Sequence, residues 1–195
     1  LEDDNIFGKS RYFKKIDHQT IFNNGIRARI DYGDTSDGNY FEDLGRNLSL
    51  TSITHLNRSL ILDAYGENWS IFSRFQNFQT IDDAITQGNR PYHRLPQIKI
   101  WATHPRQPLG IRASIDTELV YFDREYGVTG WRIDNEPKLS WEIRNDGWYV
   151  KPSLSIKSTQ YQLKNNSNEM DKTISRTLPI SSIDAGLFFE RSLRT

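Results

Sequence analysis

Apolar and polar residues alternate with period two along much of the chain, most plainly around residues 131–143. Trp131, Ile133, Pro137, Leu139, Trp141 and Ile143 share one parity, while Arg132, Asp134, Glu136, Lys138, Ser140 and Glu142 share the other. The split recurs in Ile111, Ala113, Ile115, Thr117, Leu119 against Arg112, Ser114, Asp116, Glu118, and in Ile26, Ala28, Ile30, Tyr32 against Arg27, Arg29, Asp31. Such alternation predicts strands with one apolar and one charged face. Runs of this kind, bounded by turn chemistry, fall at 25–32, 56–65, 69–79, 97–104, 111–122, 131–143, 148–158 and 182–190, with a weaker one near 11–20. The count is about nine strands, and no long helical period interrupts them.

Alternation alone does not separate a soluble sandwich from a membrane barrel. The links between strands favour the barrel. Short ones at 21–24, 65–68, 105–109 and 144–147 interleave with longer ones at 33–46, 80–95, 123–130 and 163–172, as tight periplasmic turns and longer outer loops would. On that parity the loops 38–45, 82–89 and 164–171 lie at the cell surface, and the links 65–68 and 144–147 are periplasmic. The strands are long enough to cross a bilayer when tilted. Pro96, Pro137, Pro152 and Pro179 fall in or beside strands, where each removes a ladder donor and demands a bulge or an unpaired site. Phe72 and Phe78 share the parity of Arg74 and Gln76, which requires packing on the polar face or a register shift.

Composition narrows the classes further. An apolar fraction of 36% would suit a soluble or partly disordered chain, but five Trp, nine Tyr and ten Phe argue against disorder. No run approaches the roughly 18 apolar residues of a spanning helix, whereas barrel strands hide their lipid face in alternation. The 25 basic and 25 acidic residues balance, so no global field draws nucleic acid. Without cysteine there is no disulfide or thiolate metal site in this stretch, and His18, His55, His93 and His104 are scattered without ligand spacing. No G-x-S-x-G elbow is present either. The expectation is therefore no enzyme, no metal and no cofactor. The opening LEDDNIFGKS lacks the basic and apolar regions of a signal peptide, so either the chain is not exported or its start has been removed.

The stretch ISRTLPISSIDAGLFFER at 174–191 resembles a signature of the LptD barrel family, also called organic solvent tolerance proteins. RPYHRLPQIKI at 90–100, GNYFEDLG at 38–45 and NEPKLSW at 135–141 support it, in the family's order. The resemblance implies an outer-membrane β-barrel of a Gram-negative bacterium that assembles lipopolysaccharide into the outer leaflet. It implies a lipoprotein plug, LptE, in the lumen and periplasmic bridge proteins that deliver the substrate. The family's barrel exceeds nine strands and adds a periplasmic domain and cysteines, so residues 1–195 are expected to be an internal part of one barrel domain. An odd number of strands with unpaired ends cannot close in lipid, which agrees. The alternatives are another outer-membrane barrel, porin or barrel enzyme, and a soluble β-sandwich binding module.

The polar parity gives candidate lumen-lining residues Arg27, Arg29, Arg112, Glu118, Glu136, Lys138, Glu142, Lys151 and Lys157. The apolar parity gives lipid-facing Ile26, Ile30, Ile111, Ile115, Leu139, Trp141, Leu154 and Ile156. Cross-strand pairing that keeps a wet lumen is the simpler account of these charges, and a path for a phosphorylated saccharide the richer one. Glu2, Asp3, Asp4 and the pair Asp82, Asp83 are candidate cation binders beside lipopolysaccharide phosphates, although surface loops are commonly acidic. One hairpin register follows from its turn. Asp146-Gly147 is a favoured type I′ pair, which sets Asn145 opposite Trp148, Glu142 opposite Lys151, Glu136 opposite Lys157, Trp141 opposite Pro152 and Leu139 opposite Leu154.

Overall fold

A computed structural model describes residues 8–45, 48–104, 110–165 and 172–190. Its strands are β1 (Phe13–Ile21), β2 (Arg27–Thr35), β3 (His55–Tyr65), β4 (Trp69–Thr80), β5 (His93–Thr103), β6 (Ile111–Asp123), β7 (Val128–Trp141), β8 (Ile143–Asn145), β9 (Trp148–Asn165) and β10 (Lys172–Leu187). All ten lie in one antiparallel up-and-down sheet in chain order, with β8 paired only to β9. A single sheet excludes the two-layer sandwich. Because Ser140 faces Ser153 and Ile143 faces Val150, β8 continues the register of β7 past a break at Glu142, so the sheet has the nine places the alternation predicts.

The hairpin register is as derived: Asn145 faces Trp148 and Leu139 faces Leu154. The turn type is not. Gly147 is absent from the glycines with positive φ, so the type I′ geometry, which requires positive φ at both central positions, is not adopted. Register is held here by the two faces themselves, since a slip of one residue would invert every side chain.

Three of the four prolines sit beside an irregularity of a ladder, whereas Pro179 faces Ile156 in the unbroken β9–β10 register, on the end strand of the sheet. Pro96 lies in the irregular step between Arg94 and Gln97. Pro152 stands opposite the break after Trp141, and Pro137 falls in a gap of the β7–β9 ladder. Several boundaries differ from the sequence expectation. β9 and β10 run well beyond 148–158 and 182–190 because their outward positions turn polar there, which erases the alternation without ending the strands. Residues 188–190 leave the strand. The link 124–127 is short rather than long. Asp123, Gly127 and Gly130 read as loop chemistry, yet Gly130 is inside β7, where an added Cβ would lie 2.2 Å from the Gln162 carbonyl oxygen. Only glycine admits that approach of β7 to β9.

At the long-link end, residues 36–45 and 48–54 fold back onto the strands. Phe41 of α1 (Tyr40–Leu44) is buried with Leu56 and Ile81, and Phe13, Tyr40, Leu50 and Ile53 pack around them. Arg11 closes the arrangement, giving Nη2 to Asp37 at 2.7 Å and Nη1 to Asp43 at 2.8 Å. The Gln79 side chain accepts from Thr35 N–H and donates to Thr35 C=O, filling the gap where β2 parts from β3. Residues 1–7, 105–109 and 166–171 lie outside the described set, and with them Glu2, Asp3, Asp4, the link 105–109 and most of the loop 163–172.

Candidate functional site: a polar inner wall

In an antiparallel sheet directly opposed residues share a face, so the register sorts every side chain. One face bears Arg27, Arg29 and Asp31 of β2, Asp63 of β3, Arg74 and Gln76 of β4, Gln97 and Lys99 of β5. It continues through Arg112, Asp116 and Glu118 of β6, Arg132, Asp134, Glu136 and Lys138 of β7, and Lys151 and Lys157 of β9. This polar face is the more buried one: Asp63 is 2% exposed, Gln97 8% and Ser155 5%. The other face carries the aliphatic residues, with Leu139 and Leu154 each 55% exposed. That inverts a soluble protein. We term this charged, more buried face the inner face.

Burying charge is costly unless each group is paired and hydrogen-bonded. Here the register supplies the partners. Asp63 takes Arg27 Nε at 2.9 Å and Arg29 Nη2 at 3.3 Å. Glu118 accepts from Gln97 Nε2 at 2.6 Å, is bonded by Arg132, and faces Lys99 Nζ at 3.4 Å. Lys157 bridges Asp134 at 3.7 Å and Glu136 at 3.6 Å, while Ser155 and Thr159 donate to the same two carboxylates. A polar recess of about 360 Å³ opens over Lys99, Glu118, Asp134, Glu136, Lys138 and Lys157. Phe72 and Phe78 pack among these charges in unbroken register with β3, although the ladder to β5 shifts between Arg74 and Gln76: the Arg74 guanidinium sits 5.0 Å from the Phe72 ring, and Phe78 stacks on His93.

The residues expected at the lumen, Arg27, Arg29, Arg112, Glu118, Glu136, Lys138, Lys151 and Lys157, share the inner face. Glu142 occupies the break before β8, where it reaches Arg144 at 4.0 Å. Of the residues expected to face lipid, Ile30, Ile111, Ile115, Leu139, Trp141, Leu154 and Ile156 share the outer face. Ile26 does not belong to a strand; it stands in the turn 22–26, where its carbonyl accepts from Phe22 N–H at 2.8 Å. Sequence reasoning left Asp63, Arg74, Arg94, Gln97 and Lys99 out of the site. Their parity in β3 to β5 was the available signal, obscured by Ile61, Phe72 and Phe78 on the same face and by the irregular step at Pro96.

The outer face has its own order. Tyr32, Tyr121 and Trp131 stand toward the long-link end, and Trp69, Trp141 and Trp148 toward the short-link end, with aliphatic side chains between. Across β6, β7, β9 and β10 one row breaks the apolar field: Thr117, Asn135, Ser158 and Thr177 face one another in sequence. Thr117 Oγ1 donates to Asn135 Oδ1 at 2.8 Å. Beyond that row Leu119, Ile133 and Trp131 on β6 and β7 confront Gln160, Gln162 and Thr173 on β9 and β10, around a recess of about 530 Å³.

Comparison with known proteins gives this wall its family. The model for LptD, described as LPS transport system D, matches residues 9–195. A protein of Nitrosococcus oceani named LPS-assembly protein LptD is 42% identical over 168 residues, which is 85% of this chain and 23% of that relative. Proteins of the same name from Hahella chejuensis and Chromobacterium violaceum are 34% and 31% identical over 86% and 98% of the chain, and 22% and 25% of the relatives. The chain thus spans about a quarter of the length of the curated relatives it matches. It belongs to the LptD family of LPS transport system D proteins.

Proposed function

We propose that this chain is a stretch of barrel wall in an outer-membrane lipopolysaccharide translocon, with the inner face lining a hydrated lumen and the outer face in contact with acyl chains. The observation that carries the reading is the inversion of the two faces in a chain of this family. Its place is the outer membrane. Ten residues separate Trp131 from Trp141 on the outer face of β7, about 33 Å along the strand and roughly 25 Å across a bilayer at a 40° tilt, which matches the height of an aromatic-bounded apolar band. Residues 1–195 then form part of a single barrel domain.

The wall carries no covalent chemistry and no cofactor in this reading; it transports and assembles. Its paired inner charges keep the lumen wet, and the links 36–54, 81–92 and 124–127 face the cell surface. An LptE plug and periplasmic bridge proteins are the partners the family implies. Photoreactive residues in the full-length protein test the assignment. Substituted at Lys138 or Lys157, benzoylphenylalanine is expected to capture lipopolysaccharide or a luminal protein. At Leu139 or Leu154 it should capture bulk membrane lipid. Equal labelling of both sets by bulk lipid would refute it.

A further inference from the structure

Charge is not matched everywhere on the inner wall. On β1 to β5 this face bears Lys15, Arg27, Arg29, Arg74, Arg94 and Lys99 against Asp17, Asp31 and Asp63. Lys15 is held by Asp31, Arg27 and Arg29 share Asp63, and Lys99 reaches Glu118. Arg74 and Arg94 have no carboxylate partner among the described residues. Arg94 makes only a marginal 3.5 Å contact to Gln76 Oε1. Arg74 lies against the Phe72 ring, and its Nε is buried without a hydrogen-bond acceptor. The charges acting on it most are the guanidiniums of Arg94 and Arg29, both repulsive. Arginine keeps its charge in such surroundings. Such a charge calls for an anion.

The register shows where the anion would sit. Arg74 faces Ile61 and Gln97, and Gln76 faces Ser59 and Arg94, so the two guanidiniums are diagonal neighbours on one face. A recess of about 290 Å³ opens beside Arg74, lined by Asp17, Arg29, Asp31, Ser59, Arg74 and Gln76; Arg94 stands outside this lining against Gln76, and Asp31 is already held by Lys15 and Asn57. Ser59 Oγ accepts from Asn57 Nδ2 at 3.0 Å, which leaves its own proton to donate. Two guanidinium forks and a hydroxyl exceed what the two oxygens of a side-chain carboxylate can use, and they suit the several oxygens of a phosphate. Asp17 offers an acceptor to a saccharide hydroxyl across the recess.

We infer that Arg74, Arg94 and Ser59 form a phosphate site on the inner wall, where the phosphorylated saccharide of a passing lipid is held. This rests on the transport reading. The test places benzoylphenylalanine at Ile61, between Arg29 and Arg74, in the full-length protein in bilayer nanodiscs. The probes are a diglucosamine bisphosphate lipid and its dephosphorylated counterpart. The phosphorylated probe is expected to crosslink at least about tenfold more, as loss of charge-assisted bonds implies, and Arg74→Gln with Arg94→Gln should erase the difference. Equal capture of the two probes, or a preference unchanged by the paired substitution, overturns the phosphate site while lipid capture at Lys138 leaves the transport reading standing. Capture of an acidic polypeptide at Ile61 in place of lipid also overturns it. Absence of lipid at both Ile61 and Lys138 would instead refute the transport reading. Should the paired variant fail to fold, the two-probe comparison in the parent protein still decides.

Discussion

Replacing Leu154 by lysine separates a membrane wall from a soluble sheet by magnitude. Leu154 is 55% exposed and faces the equally exposed Leu139. On a water-facing surface such a change falls within about 0.5 kcal/mol of neutral. In lipid the depth of the side chain decides. Leu154 follows Trp148 by six residues, about 20 Å along the strand and roughly 15 Å above the short-link end at a 40° tilt, close to the middle of an apolar band about 25 Å tall. Lysine at that level costs about 2 to 4 kcal/mol, a shift of roughly 30- to 1,000-fold in the folding equilibrium. Ser153→Lys, one residue away on the inner face, is the control and should cost far less. Denaturant titration of the full-length protein in vesicles, followed by tryptophan fluorescence, measures both. A Leu154→Lys variant within about 0.5 kcal/mol of the parent, or a Ser153→Lys variant equally damaged, would refute the assignment of faces.

Cysteines replacing Glu142 and Lys151 should form a disulfide readily on mild oxidation; a preference of position 142 for position 149 would show a slipped register. Phe41→Ala removes a buried ring from the cluster with Leu56 and Ile81 and should cost about 3 to 5 kcal/mol of docking of the 36–54 segment; wild-type resistance of that segment to proteolysis in the variant would count against it. Burial pushes the Asp37 carboxyl up, yet the hydrogen bonds from Arg11 and Ser36 outweigh it and hold the group below its ordinary range. A lowered folded-state pKa means that this stabilisation is whole above the unfolded value and is lost as pH falls through the folded one. A nitroxide at Leu44 should therefore stay immobile through pH 5 and loosen only in stronger acid. Asp37→Asn should remove that pH dependence, and an unchanged acid transition in the variant would exclude Asp37 as its source.

The alternation around residues 131–143 held the local structure because both faces were nearly pure, Asn135 alone breaking the apolar one, and such purity fixes parity, register and burial together. The same rule blurred in β4, where Phe72 and Phe78 share a face with Arg74, because aromatic rings also pack beneath guanidiniums. It misled at 123–130, where glycines that read as loop permit a close strand approach. In the first part of β10 Ile174, Leu178 and Ile180 are inner and Ser175, Thr177 and Ser181 outer, so the pattern that marked the fold elsewhere is largely reversed there, and it returns only with Ser182 and Asp184 inner and Ile183 and Leu187 outer. The facing of Arg94 with Gln76 across β4 and β5 depended on a register shift that no local spacing reveals. The docking of Arg11 onto Asp37 and Asp43 joins residues far apart in sequence and left no periodic trace.

The row of Thr117, Asn135, Ser158 and Thr177 makes the height of the apolar belt unequal around the wall. On β7 the belt climbs to Trp131, but on β9 it stops at Ile156, and Ser158, Gln160 and Gln162 take the next three outward positions. The missing rungs amount to roughly 15 Å across the bilayer. If the outer face meets acyl chains as proposed, the leaflet on the long-link side is expected to dip along this sector and draw its headgroups down beside the strands, a deformation costing fractions of a kcal/mol per Å. A lipid moving near this flank would meet a shallower barrier than anywhere along the fully greased part of the wall.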